Sequence, residues 1–373
     1  RASGLAHMIS ISGLHIGIVA AFIFFTVRFA MALIPPLALR LPIKKYAAVL
    51  ALLGIVAYAL IVEFSVPTWR SVIMTGIVLV AVMVDRVAIS LRLLALAAAA
   101  VLVFVPDSLT GASFQMSFAA VTALVFFYEA GRDRLAVFYR EAGVLRKIIL
   151  YVAGVCLTTI IATIATAPFS LFHFQQLAIY SLIANAFAMP PVTFVVMPAA
   201  VISYLLMPFG LEYIGLYIMG EGIKIVAAIA RAVADLPLST WTPPVFPFSA
   251  FLCVVIAALF VILWQGKGRV AAIVPLVAAV VLTATYTPPV LLVSESGKLA
   301  ALRDDRGALW LSSTRAEKFT AEIWARSFGL LPEETRKWSE NPAMACDAEG
   351  CRTTLEGRRI AFSMAGFGQA EDC

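Results

Sequence analysis

The chain has 373 residues, of which 62% are hydrophobic and 13% charged, with a mean hydropathy of +0.96. A soluble domain is close to half apolar, so this composition excludes a soluble globular protein and predicts a polytopic membrane protein. The net charge of +6 does not by itself indicate nucleic-acid binding, because basic residues of membrane proteins concentrate in cytoplasmic loops.

A membrane-spanning helix needs about twenty mostly apolar residues, and ten segments approach that length. The predicted spans are 7–34, 46–64, 70–85, 92–105, 113–129, 148–172, 178–207, 213–234, 248–265 and 270–289. The seventh contains two prolines between Met189 and Val192, and proline disrupts a helix, so we expect a break there. The predicted fold is an all-α transmembrane helix bundle of about ten spans over residues 1–289.

Basic residues alternate between the predicted loops. One set of loops holds most of them: Arg40, Lys44, Lys45, Arg86, Arg92, Arg132, Arg134, Arg140, Arg146, Lys147, Lys267 and Arg269. The other set holds little beyond Arg70. The positive-inside rule places the first set in the cytoplasm and therefore residues 290–373 on the extracytoplasmic side.

Residues 290–373 are polar and predict a small α+β domain. Three short strands with turns at Ser296-Gly297 and at 305–307 are followed by a helix within 315–331 and a hairpin that turns at Glu356-Gly357. Cys346 and Cys351 form a candidate disulfide, which agrees with an oxidising compartment. The alternative of a metal site is disfavoured because this region has no histidine.

Motifs for hydrolysis or nucleotide binding are absent from this sequence. Its three histidines, His7, His15 and His173, do not form an H-E-x-x-H motif, and there is no G-x-x-x-x-G-K-[ST] loop. Ser12 and His15 leave a serine–histidine dyad open, but no G-x-S-x-G frames the serine, and helix capping competes as an explanation. We therefore expect no catalytic residue, metal ion or cofactor in this chain, which begins at Arg1 and which we interpret as a fragment of a longer protein.

Several polar residues fall inside the predicted spans. Thr159 and Thr163 share one helix face, where threonines either line a path or bond to their own backbone. Asn185 precedes the two prolines and either bridges two helices or contacts a ligand. Lys224 lies near the middle of span 213–234, which is a functional hypothesis by default. The alternative is an amphipathic helix lying in the interface, with Lys224 paired to Glu221.

Arg70 stands beside Trp69 at the start of a predicted span, on the side that is otherwise poor in basic residues. An arginine next to an aromatic ring suits an anionic polymer, with phosphate on the guanidinium and a base on the ring. The same pair is common as a membrane-interface anchor, so both interpretations stay open.

Four segments together resemble the ComEC family of competence proteins: residues 3–20 with H-x-x-x-I-S-G-L-H, and residues 67–74, 109–126 and 166–192. The resemblance covers about residues 1–290 and implies an inner-membrane channel for single-stranded DNA in natural transformation. It marks one group of candidate residues for the DNA path: His7, Ser12, Gly13, His15, Arg70, Gln115, Ser117 and Asn185. To these we add Thr159, Thr163 and Lys224 from their positions in the spans.

The resemblance also implies partners, and this sequence departs from the family pattern in one respect. An outer DNA receptor, a cytosolic ATPase and single-stranded-DNA-binding proteins are implied, beside the lipid bilayer, and a homo-oligomer is left open. Many family members end in a metallo-β-lactamase-like domain, but this chain has no H-x-H-x-D-H motif, so strand degradation is not expected here. The alternative function is a polytopic transporter of lipids or small solutes.

Overall fold

The computed structural model describes residues 3–5, 13–62, 66–86, 90–140, 143–243, 246–304, 307–341, 344–346, 350–355 and 358–363. Within them the chain is mostly helical, with small β-sheets near the C-terminus. Seven of the described helices are long and apolar enough to cross a membrane. The remaining three predicted spans correspond to shorter apolar helices, Thr68–Met83, Leu91–Phe104 and Phe248–Leu263. The count of ten spans therefore stays a prediction.

The described helices follow one another with short connections. In chain order they are α1 (Gly13–Ala32), α2 (Pro35–Arg40), α3 (Ile43–Ile61), α4 (Val66–Met83), α5 (Leu91–Phe104), α6 (Ala112–Arg140), α7 (Val144–Phe174), α8 (Ser181–Pro191), α9 (Met197–Leu206), α10 (Glu212–Ala234), α11 (Phe248–Leu263), α12 (Ile273–Ala284) and α13 (Lys318–Ser327). They fall into two compact units, Arg1–Ser170 with Leu177–Trp241, and Leu171–Gln176 with Thr242–Cys373. The predicted domain boundary between residues 289 and 290 stays a prediction.

Small residues let the first helices of the first unit pack closely. The buried face of α3 is formed by Ala47, Ala48, Ala51, Ile55 and Ala59. It packs against α1 and α4, and α4 in turn packs against α5 and α6. Close packing of small side chains is the expected way to join helices in a membrane, where burial from water supplies no driving force. We call α1, α3, α4, α5 and α6 the α1–α6 helix group.

Helix α6 is longer than predicted. It continues past the predicted end at 129 to Arg140, so the segment that carries Arg132, Arg134 and Arg140 is helical and is not a loop. No glycine or proline lies between Gly131 and Gly143, and the arginine, leucine and alanine of this stretch all favour a helix. This corrects the prediction, made from the distribution of basic residues, that the segment is a loop.

The predicted break between Met189 and Val192 is also corrected, because the chain stays helical there. Helix α8 runs through both prolines to Pro191, a π-helical turn covers Val192–Val196, and α9 follows directly. Proline removes one donor from the backbone ladder, and the wider π turn takes up that mismatch. The element packs along α10, where Gly215 is required: a Cβ there would lie 2.7 Å from the backbone oxygen of Ala199.

A two-stranded sheet joins the segment before α8 to the segment after α10 in the first unit. Strand β1 (Leu177–Ala178) pairs antiparallel with β2 (Thr240–Trp241), beyond the end of α10. The hydroxyl of Tyr180 donates to the backbone oxygen of Pro237 at 3.1 Å, which ties the start of α8 to the same loop.

The second unit contains α11 and α12 and two C-terminal sheets. Strands β3 (Leu291–Val293), β4 (Ala300–Arg303), β5 (Leu309–Leu311) and β6 (Arg336–Lys337) form one sheet, with only the β5–β6 pair parallel. Strands β7 (Ala345–Cys346), β8 (Gly350–Leu355) and β9 (Arg358–Ser363) form the other. The predicted strands and helix are confirmed, and β8 and β9 pair as the predicted hairpin requires, while its turn at Glu356-Gly357 and residues 305–306 of the other predicted turn lie outside the described residues. Cys346 and Cys351 are joined by a disulfide between β7 and β8. The extracytoplasmic location of this region stays a prediction.

Candidate functional site

The starts of α1, α4 and α6 meet at one end of the α1–α6 helix group. The Arg70 guanidinium, in the second turn of α4, donates from Nη1 to the hydroxyl of Ser113 in the first turn of α6, at 2.7 Å. Gly13, at the start of α1, lies close enough to α4 that a Cβ there would be 3.6 Å from Ser71 Oγ. We call Gly13, Arg70, Ser71 and Ser113 the Arg70 cluster.

Arg70 is buried, with 7% of its surface exposed. Among the residues that the structure describes, no carboxylate lies within ion-pairing distance of its guanidinium. A buried charge is costly unless an opposite charge and hydrogen bonds compensate it, and one neutral hydroxyl compensates little. The exposed Ser113 places the guanidinium head at the edge of the helix group, so an anion is the chemistry that this arrangement lacks.

A groove of 530 Å³ runs along the α1–α6 helix group from the Arg70 cluster. It is lined by residues of α1 between Gly13 and Phe25, of α4 between Ser71 and Val82, and of α6 between Ser117 and Val125; the start of α5 completes it. Its lining contains no charged residue and is mostly apolar, with hydroxyls from serines and a threonine. We call it the α1–α6 groove.

The opposite end of the same helix group carries exposed charges. Lys45 Nζ lies 2.6 Å from Asp85 Oδ2, and this hydrogen bond holds the pKa of the Asp85 carboxyl below its ordinary value. Glu129 Oε1 accepts a hydrogen bond from the backbone nitrogen of Leu91 at 3.3 Å. Lys45 at the start of α3 and Asp85 beyond the end of α4, both from segments predicted to be cytoplasmic, thus lie together at the end away from Arg70.

The structure brings together three of the predicted path residues. Gly13 and Arg70 lie in the Arg70 cluster, and Ser117, one helical turn beyond Ser113, lines the adjacent groove. Gln115 donates from Nε2 to the backbone oxygen of Leu109 at 2.9 Å, and so holds the turn before α6. His15 is half-buried in the first turn of α1.

The polar residues of α7 and α8 are elsewhere in the first unit. Thr159 donates to the backbone oxygen of Val155 at 2.9 Å, which is the backbone-bonding alternative that the sequence left open. Thr163 is half-buried on the same helix. The buried Oδ1 of Asn185 has no hydrogen-bond partner among the described residues, so this amide retains an unused acceptor.

Lys224 is paired but exposed. Its Nζ lies 2.7 Å from Glu221 Oε1, and 74% of the lysine side chain is exposed. The pairing is the one that the interfacial interpretation of α10 predicts, and whether α10 spans the membrane or lies in its interface stays a prediction. His7 and Ser12 lie outside the described residues, and with them the serine–histidine dyad.

The contact between Arg70 and Ser113 and the groove are the features that sequence reasoning missed. Arg70 and Ser113 are 43 residues apart, and nothing in either segment specifies that their helices touch. The usable signal is that both stand at the start of a predicted span on the same side of the membrane. No three metal-ligating side chains converge within the described part of the chain.

Comparison with known proteins gives the family. A family model described as "Competence protein" matches residues 1–268. The chain is 26% identical over 211 residues to ComE operon protein 3 of Bacillus subtilis (strain 168), covering 56% of this chain and 24% of that protein. It is 28% identical over 276 residues to Competence protein ComA of Neisseria gonorrhoeae, covering 72% of this chain and 36% of that protein.

The chain thus spans about a quarter to a third of the length of these curated relatives. No solved structure matches it. The apolar helices and the family match together identify a multi-pass membrane protein. Because the family model covers most of the sequence, the chain belongs to the competence protein family.

Proposed function

We propose that this chain forms the membrane part of a channel that passes single-stranded DNA across the bacterial inner membrane during natural transformation. The observation that carries the proposal is the competence-family match over residues 1–268, which covers six of the seven helices long and apolar enough to cross a membrane. A DNA strand carries one charge per nucleotide, and an unpaired charge in hydrocarbon costs many kcal/mol, so the strand needs a protein route.

The orientation is part of the proposal. The end of the helix group with Lys45 and Asp85 faces the cytoplasm, since the exposed basic residues Arg40, Lys44 and Arg92 belong to the same loops. The Arg70 cluster then faces outwards. The sheets that contain the Cys346–Cys351 disulfide lie on the extracytoplasmic side, which an oxidised pair supports.

The route for the strand is polar but sparsely charged. Thr163 and Asn185 are suitable linings, because hydroxyl and amide groups replace water without holding a phosphate tightly. The α1–α6 groove is not suitable, because its walls are mostly apolar. None of the described residues in the apolar window of α7 is buried, so in this proposal other copies or other parts of the protein complete the route around it.

The chain is a conduit and not an enzyme in this proposal. With no nucleotide-binding loop in the sequence, a cytosolic ATPase pulls the strand, an outer receptor delivers it and single-stranded-DNA-binding proteins receive it. A homo-oligomer is one way to close the route. A second candidate function, a transporter of lipids or small solutes, is favoured by one observation, the apolar groove.

A clean deletion tests the proposal. We expect transformation to be abolished while labelled DNA still binds to the cell surface; normal transformation would instead favour the transporter. Complementation with Thr163→Val, which keeps the shape and removes the hydroxyl, is expected to lower transformation several-fold at equal protein level. Thr158→Val is the matched control, since Thr158 is exposed on the same helix outside the predicted face.

A further inference from the structure

The starting observation is a buried cation at the depth where a helix enters the membrane. Arg70 is 7% exposed, lies in the second turn of α4, and bonds to Ser113 in the first turn of α6. Helix ends on the membrane surface lie at the level of lipid headgroups, whose phosphates are the most abundant anions there. The described residues supply no carboxylate for this guanidinium.

The second observation is the groove that leads away from this cation. Between Gly13 and Phe25 it follows α1 for about 18 Å, close to the thickness of about 15 Å of one hydrocarbon leaflet. Its volume of 530 Å³ falls in the range of about 300–1,000 Å³ that is usual for small-ligand sites. Its lining is apolar along most of its length, with Ser71 and Ser117 near Arg70, Thr75 one turn beyond Ser71, and Ser90 at the other end of the groove.

We propose that the Arg70 cluster and the α1–α6 groove bind one glycerophospholipid. The Arg70 guanidinium and the Ser113 hydroxyl hold the headgroup phosphate, which supplies a negative charge that the described residues do not, and the groove holds an acyl chain. A cation at the headgroup level joined to an apolar groove of leaflet length matches this amphipathic ligand at both ends. A DNA strand matches only the cation, because its bases and further phosphates would face apolar walls.

The proposal is independent of DNA passage and is tested on the purified full-length protein. The protein is reconstituted in nanodiscs of phosphatidylglycerol and phosphatidylethanolamine, and its retained lipid is counted by native mass spectrometry. We expect one tightly retained phospholipid on the wild type and at least about a tenfold loss with Arg70→Gln, because a charge-assisted hydrogen bond is removed. Arg70→Lys is expected to restore part of the retention, and Arg92→Gln, exposed at the opposite end, to retain the lipid.

A groove-filling variant tests the other half of the site and does not depend on the folding of an Arg70 variant. A Cβ on Gly17 meets nothing within 4 Å, and Gly17 lines the groove, so Gly17→Leu is expected to displace the acyl chain and release the lipid. Gly220→Leu on α10 is the matched control, because Gly220 also has open space around it but lies outside the groove.

Either of two results would overturn the proposal: unchanged lipid retention in Arg70→Gln, or unchanged retention in Gly17→Leu. If retention is unchanged in Arg70→Gln while binding of a labelled single-stranded oligonucleotide weakens, Arg70 is assigned to the DNA strand and the proposed channel stays intact. Conversely, normal transformation in the deletion would end the channel proposal while lipid retention stood.

Discussion

The two ends of the α1–α6 helix group carry charge in opposite ways. At one end, among the described residues, the cation Arg70 is 7% exposed and contacts a neutral hydroxyl. At the other, Lys45 and Asp85 form an ion pair with side chains 43% and 62% exposed. An exposed pair costs little and contributes little, whereas a buried cation without a counter-charge is costly to keep. The difference agrees with the proposal that the first end binds an anion, whereas the second end carries an exposed ion pair that needs no further partner.

Giving Arg70 a carboxylate partner would remove the difference and is expected to have the largest effect. In Ser113→Asp the new carboxylate lies where a hydroxyl already contacts the guanidinium at 2.7 Å. We expect stabilisation of up to about 3 kcal/mol, seen as a higher Tm of the purified protein, together with loss of the bound phospholipid. Ser113→Asn adds similar bulk without charge, so it should neither raise Tm nor release the phospholipid. An equal gain in Tm with Ser113→Asn would show that the charge of Arg70 is not the cause of the stabilisation.

Loss of the helix cap at Ser90, near the end that carries the Lys45–Asp85 pair, is expected to have a smaller effect on stability. Ser90 caps α5, and its hydroxyl accepts a hydrogen bond from the backbone nitrogen of Leu93 at 3.3 Å. Ser90→Ala should destabilise the protein by about 1 kcal/mol, because the first turn of α5 loses its capping acceptor. Ser90→Asp, which retains an acceptor, is the control. Equal Tm values for Ser90→Ala and the wild type would mean that this cap contributes nothing.

Removal of the Lys45–Asp85 ion pair is expected to have the smallest effect on stability. The pKa of Asp85 is lowered by Lys45, so the pair stabilises the fold at neutral pH and this contribution is lost as pH falls through the lowered pKa. Lys45→Gln should leave Tm near pH 7 almost unchanged. It should also make Tm fall slightly less on acidification, because Asp85 then contributes no ion pair that protonation can break. Lys44→Gln, which leaves the Lys45–Asp85 hydrogen bond in place, is the control. A large loss of stability in Lys45→Gln alone would contradict the contrast between the two ends.

The approximate positions of the long helices could be predicted from sequence, because each contains a long apolar stretch. The pairing of β8 with β9 also follows from a local pattern, whereas α4 begins at Val66, four residues before its predicted start at 70. The contact of Arg70 with Ser113 could not be predicted, because it depends on which helices are neighbours. The continuity of the chain through Pro190 was missed for another reason: the prediction counted the lost donor but not the π turn that follows it.

The α1–α6 groove shows the same limit. Each of its walls is an ordinary apolar helix face, so no single segment signals a cavity. Gly13 and Ser117 were selected by resemblance, and only the packed helices place both on one groove. Thr159 was an open alternative in the sequence, and its bond to Val155 is a contact that only coordinates reveal.

The π turn at Val192–Val196 gives this helix a spare residue. A π turn accommodates one extra residue while the flanking α-helical segments keep their faces, so Ala188 before it and Ala199 after it both pack along α10. Elsewhere in the helix, removing one residue would rotate everything beyond it by about 100°. At this turn alone, a sequence shorter by one residue would present the same side chains to Gly215, so length variation among relatives is expected to concentrate here.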